Sequence, residues 1–334
     1  MNKMMIAALA STVAASGAMA QSSVTVYGLA DVGFVHESGG PAGSVNTITS
    51  GVASGSRIGF KGEEDLGAGR KAFFVLENGF NMDTGSAGQG GLLFGRRAFV
   101  GLSSELGALT LGRQNTPYYN VMCDISDPFC DGFAGAAGNI LAGHTRMDNM
   151  VAYTSPTVQG FSAVLSTALG EQPGNAAARR AYSSSLTYSR GPLIVALAWH
   201  QQQNALATDS STNTILAGRY NFGVLEVNLG YARNKELAGV RSNDAIVGVT
   251  VPFGEPFGAV RVFGSYIRHD DTRATNRDAS QAAVGASYSL SRRTDLYAAY
   301  AHISNKNGAA FTVGNATTSG TGNVGVNLGI RHTF

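Results

Sequence analysis

Leu225-Glu226-Val227-Asn228-Leu229-Gly230-Tyr231-Ala232 alternates a large apolar residue with a polar or small one at every step. A period of two places Leu225, Val227, Leu229 and Tyr231 on one side of a strand and their neighbours on the other. The same alternation runs through Leu193, Val195, Leu197 and Trp199, through Leu216, Gly218, Tyr220 and Phe222, and through Val324, Val326, Leu328, Ile330, His332 and Phe334. Helical periodicity is almost absent. Two kinds of connection separate these segments. One is tight: 64–67, 103–107, 155–160, 190–192, 221–223, 252–258 and 291–292. The other is long, polar and rich in Gly, Ser and Asn: 37–54, 83–92, 115–144, 171–180, 202–212, 234–243, 269–278 and 305–320. Seven turns and eight loops predict sixteen strands, with no linker or internal repeat.

Composition says which solvent the apolar rows meet. Only 14% of the 334 residues are charged, against about 25% in soluble domains. Beyond the N-terminal segment no apolar run approaches the roughly 18 residues that a spanning helix needs. A strand protein satisfies its backbone in lipid only as a closed barrel. Sixteen strands of about 10 to 12 residues suit such a barrel, with short turns on one side and long loops on the other. At that size the interior is an aqueous channel. The expected fold is therefore all-β, a transmembrane antiparallel β-barrel of 16 strands occupying 21–334, with periplasmic turns and external loops. A net charge of +2 gives no reason to expect nucleic acid as a partner.

Residues 1–20 read as a cleaved signal peptide: Lys3, an apolar stretch from Met4 to Ala15, and Ala18-Met19-Ala20 before Gln21. Export places Cys123 and Cys130 in an oxidising compartment, where a disulfide closing a short loop is expected. The six histidines, His36, His144, His200, His269, His302 and His332, lack ligand spacing, so no metal site is expected. Gly-x-Ser-x-Gly, P-loop, His-Glu-x-x-His and dinucleotide motifs are absent, so neither catalytic residues nor a cofactor are expected. Two other readings stay open: an adhesin or receptor presenting its loops, and a hydrolase built from scattered rim residues. Tyr27, Phe80, Tyr153, Phe222 and Phe257 are expected in an interfacial girdle.

The segments Ser23 to Asp31, Gly55 to Gly67, Arg96 to Leu102 and Gly329 to Phe334 together resemble the Gram-negative general diffusion porins, in their beta-proteobacterial branch. The resemblance covers everything after the signal peptide. It implies an outer-membrane homotrimer set among lipid and lipopolysaccharide, passing small hydrophilic solutes by diffusion. The third long loop, 115–144, would fold into each lumen as a constriction loop. The terminal Phe334 would be read by the barrel-assembly machinery.

Chemistry then locates the narrowest point. Arg57 and Lys61 share a strand face opposite Ile58 and Phe60, so both should point inward. Alternation alone does not choose between Arg96 and Arg97. The resemblance favours Arg96, with Arg97 near the rim or snorkelling. It also matches Arg57 and Arg146 to wall arginines of the family. Loop 115–144 carries Asp124, Asp127 and Asp131. Basic wall against acidic loop would set up a transverse field that sorts ions by charge. The arginines argue for a tilt toward anions and the aspartates against a strong one. The plainer readings are that the arginines only hold the loop, or that the aspartates are solvated outside the barrel.

Overall fold

The computed structural model of the chain describes residues 23–130, 132–254 and 259–334. The signal-peptide segment, Asp131 and Phe257 fall outside the described residues.

Seventeen strands form one antiparallel sheet: β1 (Ser23–Gly40), β2 (Gly43–Ser50), β3 (Arg57–Gly67), β4 (Arg70–Gly79), β5 (Arg97–Ser104), β6 (Gly107–Asn115), β7 (Arg146–Thr154), β8 (Phe161–Ala168), β9 (Ala181–Arg190), β10 (Leu193–Gln203), β11 (Ser210–Asn221), β12 (Glu226–Lys235), β13 (Arg241–Phe253), β14 (Val260–Asp271), β15 (Ala279–Ser289), β16 (Thr294–Asn305) and β17 (Val324–Thr333). Strands β2 and β3 are two halves of one barrel stave. The first pairs with the distal half of β1, Val32 to Gly40, and the second with Ser23 to Leu29. The barrel is thus sixteen-stranded. It closes where β1 pairs with β17 from Leu29↔Thr333 to Ser38↔Val324. At the seam Gly28 and Phe334 exchange both backbone hydrogen bonds at 3.0 Å. A Cβ on Gly28 would fall on the Phe334 ring, so the seam requires the bare backbone there.

The predicted alternation is the one observed. Leu197, Leu216, Leu229, Tyr231, Leu328 and Ile330 are exposed on the outer face, while Ala196, Ile215, Ala217, Ala232 and Asn327 are buried on the inner one. No helix among the described residues is long and apolar enough to cross a membrane. Apolar residues face outward because hydrocarbon, not a second sheet, covers them.

Two expectations are corrected. Residues 37–54 are not a free loop. Val45, Thr47, Ile48 and Thr49 continue the sheet against Glu37 to Gly33, and the chain reverses at Pro41-Ala42. The irregular part is the excursion 51–56, which breaks the stave. Asp31, fully buried, holds it by accepting the amides of Val52 (2.9 Å), Ala53 (3.3 Å) and Ser54 (3.1 Å) and the Tyr297 hydroxyl (2.7 Å). The second concerns Tyr27. It is an inner-face residue, opposite Gly59, with its hydroxyl on Glu77 at 2.9 Å. Tyr153 and Phe222 are exposed near the short turns, as a girdle requires, and Phe80 lies in the bridge Phe80↔Ala87 beyond β4.

Candidate pore constriction

The segment between β6 and β7 enters the barrel. Its two feet are stapled together: the Thr116 amide donates to Thr145 O (3.1 Å) and its hydroxyl to His144 O (2.7 Å). The same hydroxyl accepts the Tyr119 amide at 3.1 Å and caps helix α1 (Pro117–Val121), with Pro117 in the first turn. The helix continues as a wider π turn, Met122–Ser126. Tyr118, Val121, Met122 and Ile125 then bury themselves against Ala196, Ala198, Ile215, Ala217 and Ala232. Small inner-face residues on β10 to β12 are what let a helix lie on that wall.

Polar contacts fix the rest of the path. Asn228 donates to Ile125 O at 2.8 Å, and Arg219 to Asp124 O at 3.0 Å. Further along, the Phe133 amide reaches Val52 O at 2.5 Å, and Gln281 donates to Gly135 O at 2.7 Å. Phe129 and Phe133 pack on Phe263 and Tyr297, with ring centroids 4.9 to 6.1 Å apart. The loop therefore lies on the wall from β9 round to β17. The remaining opening faces β3, β4, β5 and β7.

That opposite wall is where most of the basic residues stand. Arg57, opposite Leu29 and Gly79, and Lys61, opposite Thr25 and Val75, are on the inner face. Arg57 donates to Gly55 O (3.0 Å) and Ser54 Oγ (2.5 Å). The Lys61 ammonium sits 5.7 Å above the Tyr27 ring. Arg146 begins β7 beneath the loop's second foot, and lines with Arg96, Tyr119, Met122 and Asp127 a cavity of about 420 Å³.

The Arg96/Arg97 assignment differs from the expectation for Arg97. Arg97 pairs with Glu77 in register and shares the inner face with Phe99, while Val100 and Leu102 are exposed outside. Arg96 precedes β5 and so is free of its alternation. It is buried, with its Nε 2.7 Å from Glu77 Oε1. Both arginines turn inward.

The loop aspartates are not equivalent. Asp127 is buried, and its carboxylate accepts the amides of Phe129 (2.9 Å) and Ala137 (2.7 Å). Burial outweighs these bonds and pushes its pKa up to about 6. Asp124 is exposed in the opening. Partial burial raises its pKa as well, against the fields of Arg97 and Arg219. Cys123 and Cys130 flank this turn as a disulfide with Cα atoms 4.7 Å apart. Sequence reading passed over Arg219 and Glu77 as site residues. Arg219 was legible as a charge on the small-residue face of β11, and Glu77 was hidden among the apolar residues of β4.

Comparison with known proteins decides the family. A family model described as Gram-negative porin matches residues 6–308. The chain belongs to the Gram-negative porins. An outer membrane porin protein of Bordetella pertussis is 33% identical with both chains fully covered. Outer membrane porin protein 32 of Delftia acidovorans is 34% identical over 99% of this chain and all of that one. Among solved structures, an anion-selective porin from Comamonas acidovorans superposes with a TM-score of 0.80 at 30% identity, covering 94% of this chain and 100% of that chain. This porin is accordingly an outer-membrane β-barrel channel.

Proposed function

We propose that this porin passes ions and small hydrophilic solutes by diffusion between the basic wall Arg57, Lys61, Arg97 and Arg146 and the constriction loop, with a tilt toward anions and without chemistry or cofactor. The observation that carries the tilt is the inequality of the two sides. Among the described residues, Asp127 is committed to the loop's own amides, and Asp124 is left as the loop carboxylate beside Arg97 and Arg219. Arg96 is neutralised by Glu77 and acts as a brace rather than as field. A transverse field of this kind orients dipoles and favours the ion of opposite sign to the wall. The superposed Comamonas porin is described as anion-selective, which supports the same sign here.

The proposal includes a homotrimer, assembly through a C-terminal strand ending in Phe334, and removal of residues 1–20 on export. Reversal potentials in planar bilayers under a salt gradient test the selectivity. The potential should have anion sign and move toward cations in Arg57→Gln/Arg97→Gln/Arg146→Gln. An unchanged value would mean that these side chains only hold the loop. Absence of any conductance would favour the adhesin or rim-hydrolase readings.

A further inference from the structure

A second cavity, of about 590 Å³, lies inside the barrel at its long-loop end. It meets the pore cavity at Gly138 and Asn139, so a solute held in it stands beside the way into the constriction. Ile140 and Leu141 of the constriction loop and Phe311 of the segment between β16 and β17 give it an apolar surface. Phe311 is fixed by one side chain: Asn305 Nδ2 donates to its carbonyl at 2.9 Å, and Asn305 Oδ1 accepts its amide at 3.2 Å. A concave space of this size, mostly apolar with a few converging polar groups, has the form of a small-molecule site.

Most of the ionisable groups lining the cavity are already matched. Buried Asp244 has His269 Nδ1 at 2.6 Å on one oxygen and the Asn234 and Ser242 side chains on the other. Arg273 is closed on Asp271 through Nε at 2.8 Å and Nη2 at 3.0 Å. Two groups are left over. Glu236 uses Oε1, which accepts Asn213 Nδ2 at 2.7 Å and lies 4.0 Å from His144 Nε2, while its Oε2 has no hydrogen-bond partner among the described residues. Arg277 engages its amide, on Asp271 Oδ2 at 3.1 Å, and its guanidinium has no partner among the described residues. Glu236 directly follows β12 and Arg277 stands two residues before β15, three strand spacings or about 14 Å round the wall. Both line the cavity, with the apolar surface between them. A bound anion would leave Glu236 facing like charge, and a bound cation would do the same to Arg277. A solute carrying both charges answers both.

We propose that this cavity is a vestibule site for an α-amino acid with a large apolar side chain. The ammonium group is held by Glu236, the carboxylate by Arg277, and the side chain lies against Ile140, Leu141 and Phe311. The inference rests on the channel reading and deepens it, because it names a class of solute that is gathered at the entrance to the constriction.

Saturation-transfer NMR titrations of the full chain folded in detergent test it, with L-phenylalanine, 3-phenylpropionate and phenethylamine as probes. The second lacks the ammonium group and the third the carboxylate. L-Phenylalanine should bind roughly tenfold tighter than either, the worth of one hydrogen-bonded charge contact. Arg277→Gln should erase the advantage over phenethylamine and keep that over 3-phenylpropionate, and Glu236→Gln should do the reverse. Because the Arg277 guanidinium braces nothing among the described residues, its variant carries the test even where Glu236→Gln disturbs the loop root. Absence of saturable L-phenylalanine binding, equal binding of the three probes, or an advantage over phenethylamine that survives in Arg277→Gln overturns the proposal. So does 3-phenylpropionate binding as tightly as L-phenylalanine, which would make the cavity a site for anions. Bilayer conductance of the same wild-type preparation separates this failure from a failure of the channel reading, because a conducting barrel without the preference contradicts the amino-acid site alone.

Discussion

Arg96 and Glu77 form an ion pair at 2.7 Å with side chains 7% and 4% exposed, and the Tyr27 hydroxyl donates to the second carboxylate oxygen at 2.9 Å. Removing one member of such a pair strands the other charge and costs about 3–5 kcal/mol, whereas an exposed pair is worth at most about 1 kcal/mol. Glu77→Gln should therefore lower the thermal midpoint in detergent well below that of Glu63→Gln, whose partner Lys71 is at the exposed short-turn end. Equal midpoints would contradict the burial of the Arg96 pair. The sequence could not assign Arg96 and Arg97 because two local rules fail there. Arg96 lies just before β5, where alternation has no hold, and inner-face Phe99 packs edge-to-face on Phe73 at 6.4 Å. An apolar neighbour therefore did not mark the lipid side for Arg97.

Strands and turns were legible because each strand repeats one binary choice, lipid or water, about ten times over. The interior path of the constriction loop was not, since it depends on side chains scattered along the chain: Asn228, Gln281, Asp31 and the alanines of β10 to β12. Its root also carries a titrating element. His144 stacks on His200 with centroids 4.3 Å apart and planes 24° from parallel, and Tyr118 meets both rings edge-on or tilted. Glu236 Oε1 is 4.0 Å from His144 Nε2. Burial holds the His144 imidazole below its usual pKa, with Glu236 and Asn213 opposing. The folded state thus binds fewer protons than the unfolded one, and the stabilisation present above the unfolded value of 6.5 is lost as pH falls below it. Asp127 has the opposite sign. Its pKa is raised from 3.8 to about 6, so protonation between those values favours the folded loop. Amide protection factors in 116–145, corrected for the slower intrinsic exchange in acid, should consequently begin to fall between about pH 7.5 and 6.5, before most of the Asp127 protonation that opposes the loss. His144→Phe, which keeps an aromatic ring in the stack, should flatten that step. A step that survives in His144→Phe would assign it to another group.

At the scale of the molecule the barrel is a fixed frame, and selectivity is set by a handful of charges facing one another inside it. Arginine and lysine keep their charge over the whole working range of pH. Asp127 does not, since burial pushes its pKa up to about 6. Acidification from pH 7.5 to 5 removes negative charge from the loop side while the wall stays as it is. Low-dielectric surroundings make that loss felt across the opening more than it would be in bulk water. Anion preference should therefore rise on acidification, read as a reversal potential moving further to the anion side under a constant salt gradient. Asp124→Asn should lie further to the anion side than the wild type at pH 7.5, because it removes a carboxylate from the loop side of the opening. Its carboxylate faces the opening and accepts no backbone amide among the described residues, so the variant should keep the wild-type conductance. A potential that is flat with pH, or that drifts toward cations, would show that the loop carboxylates do not govern the field at the constriction.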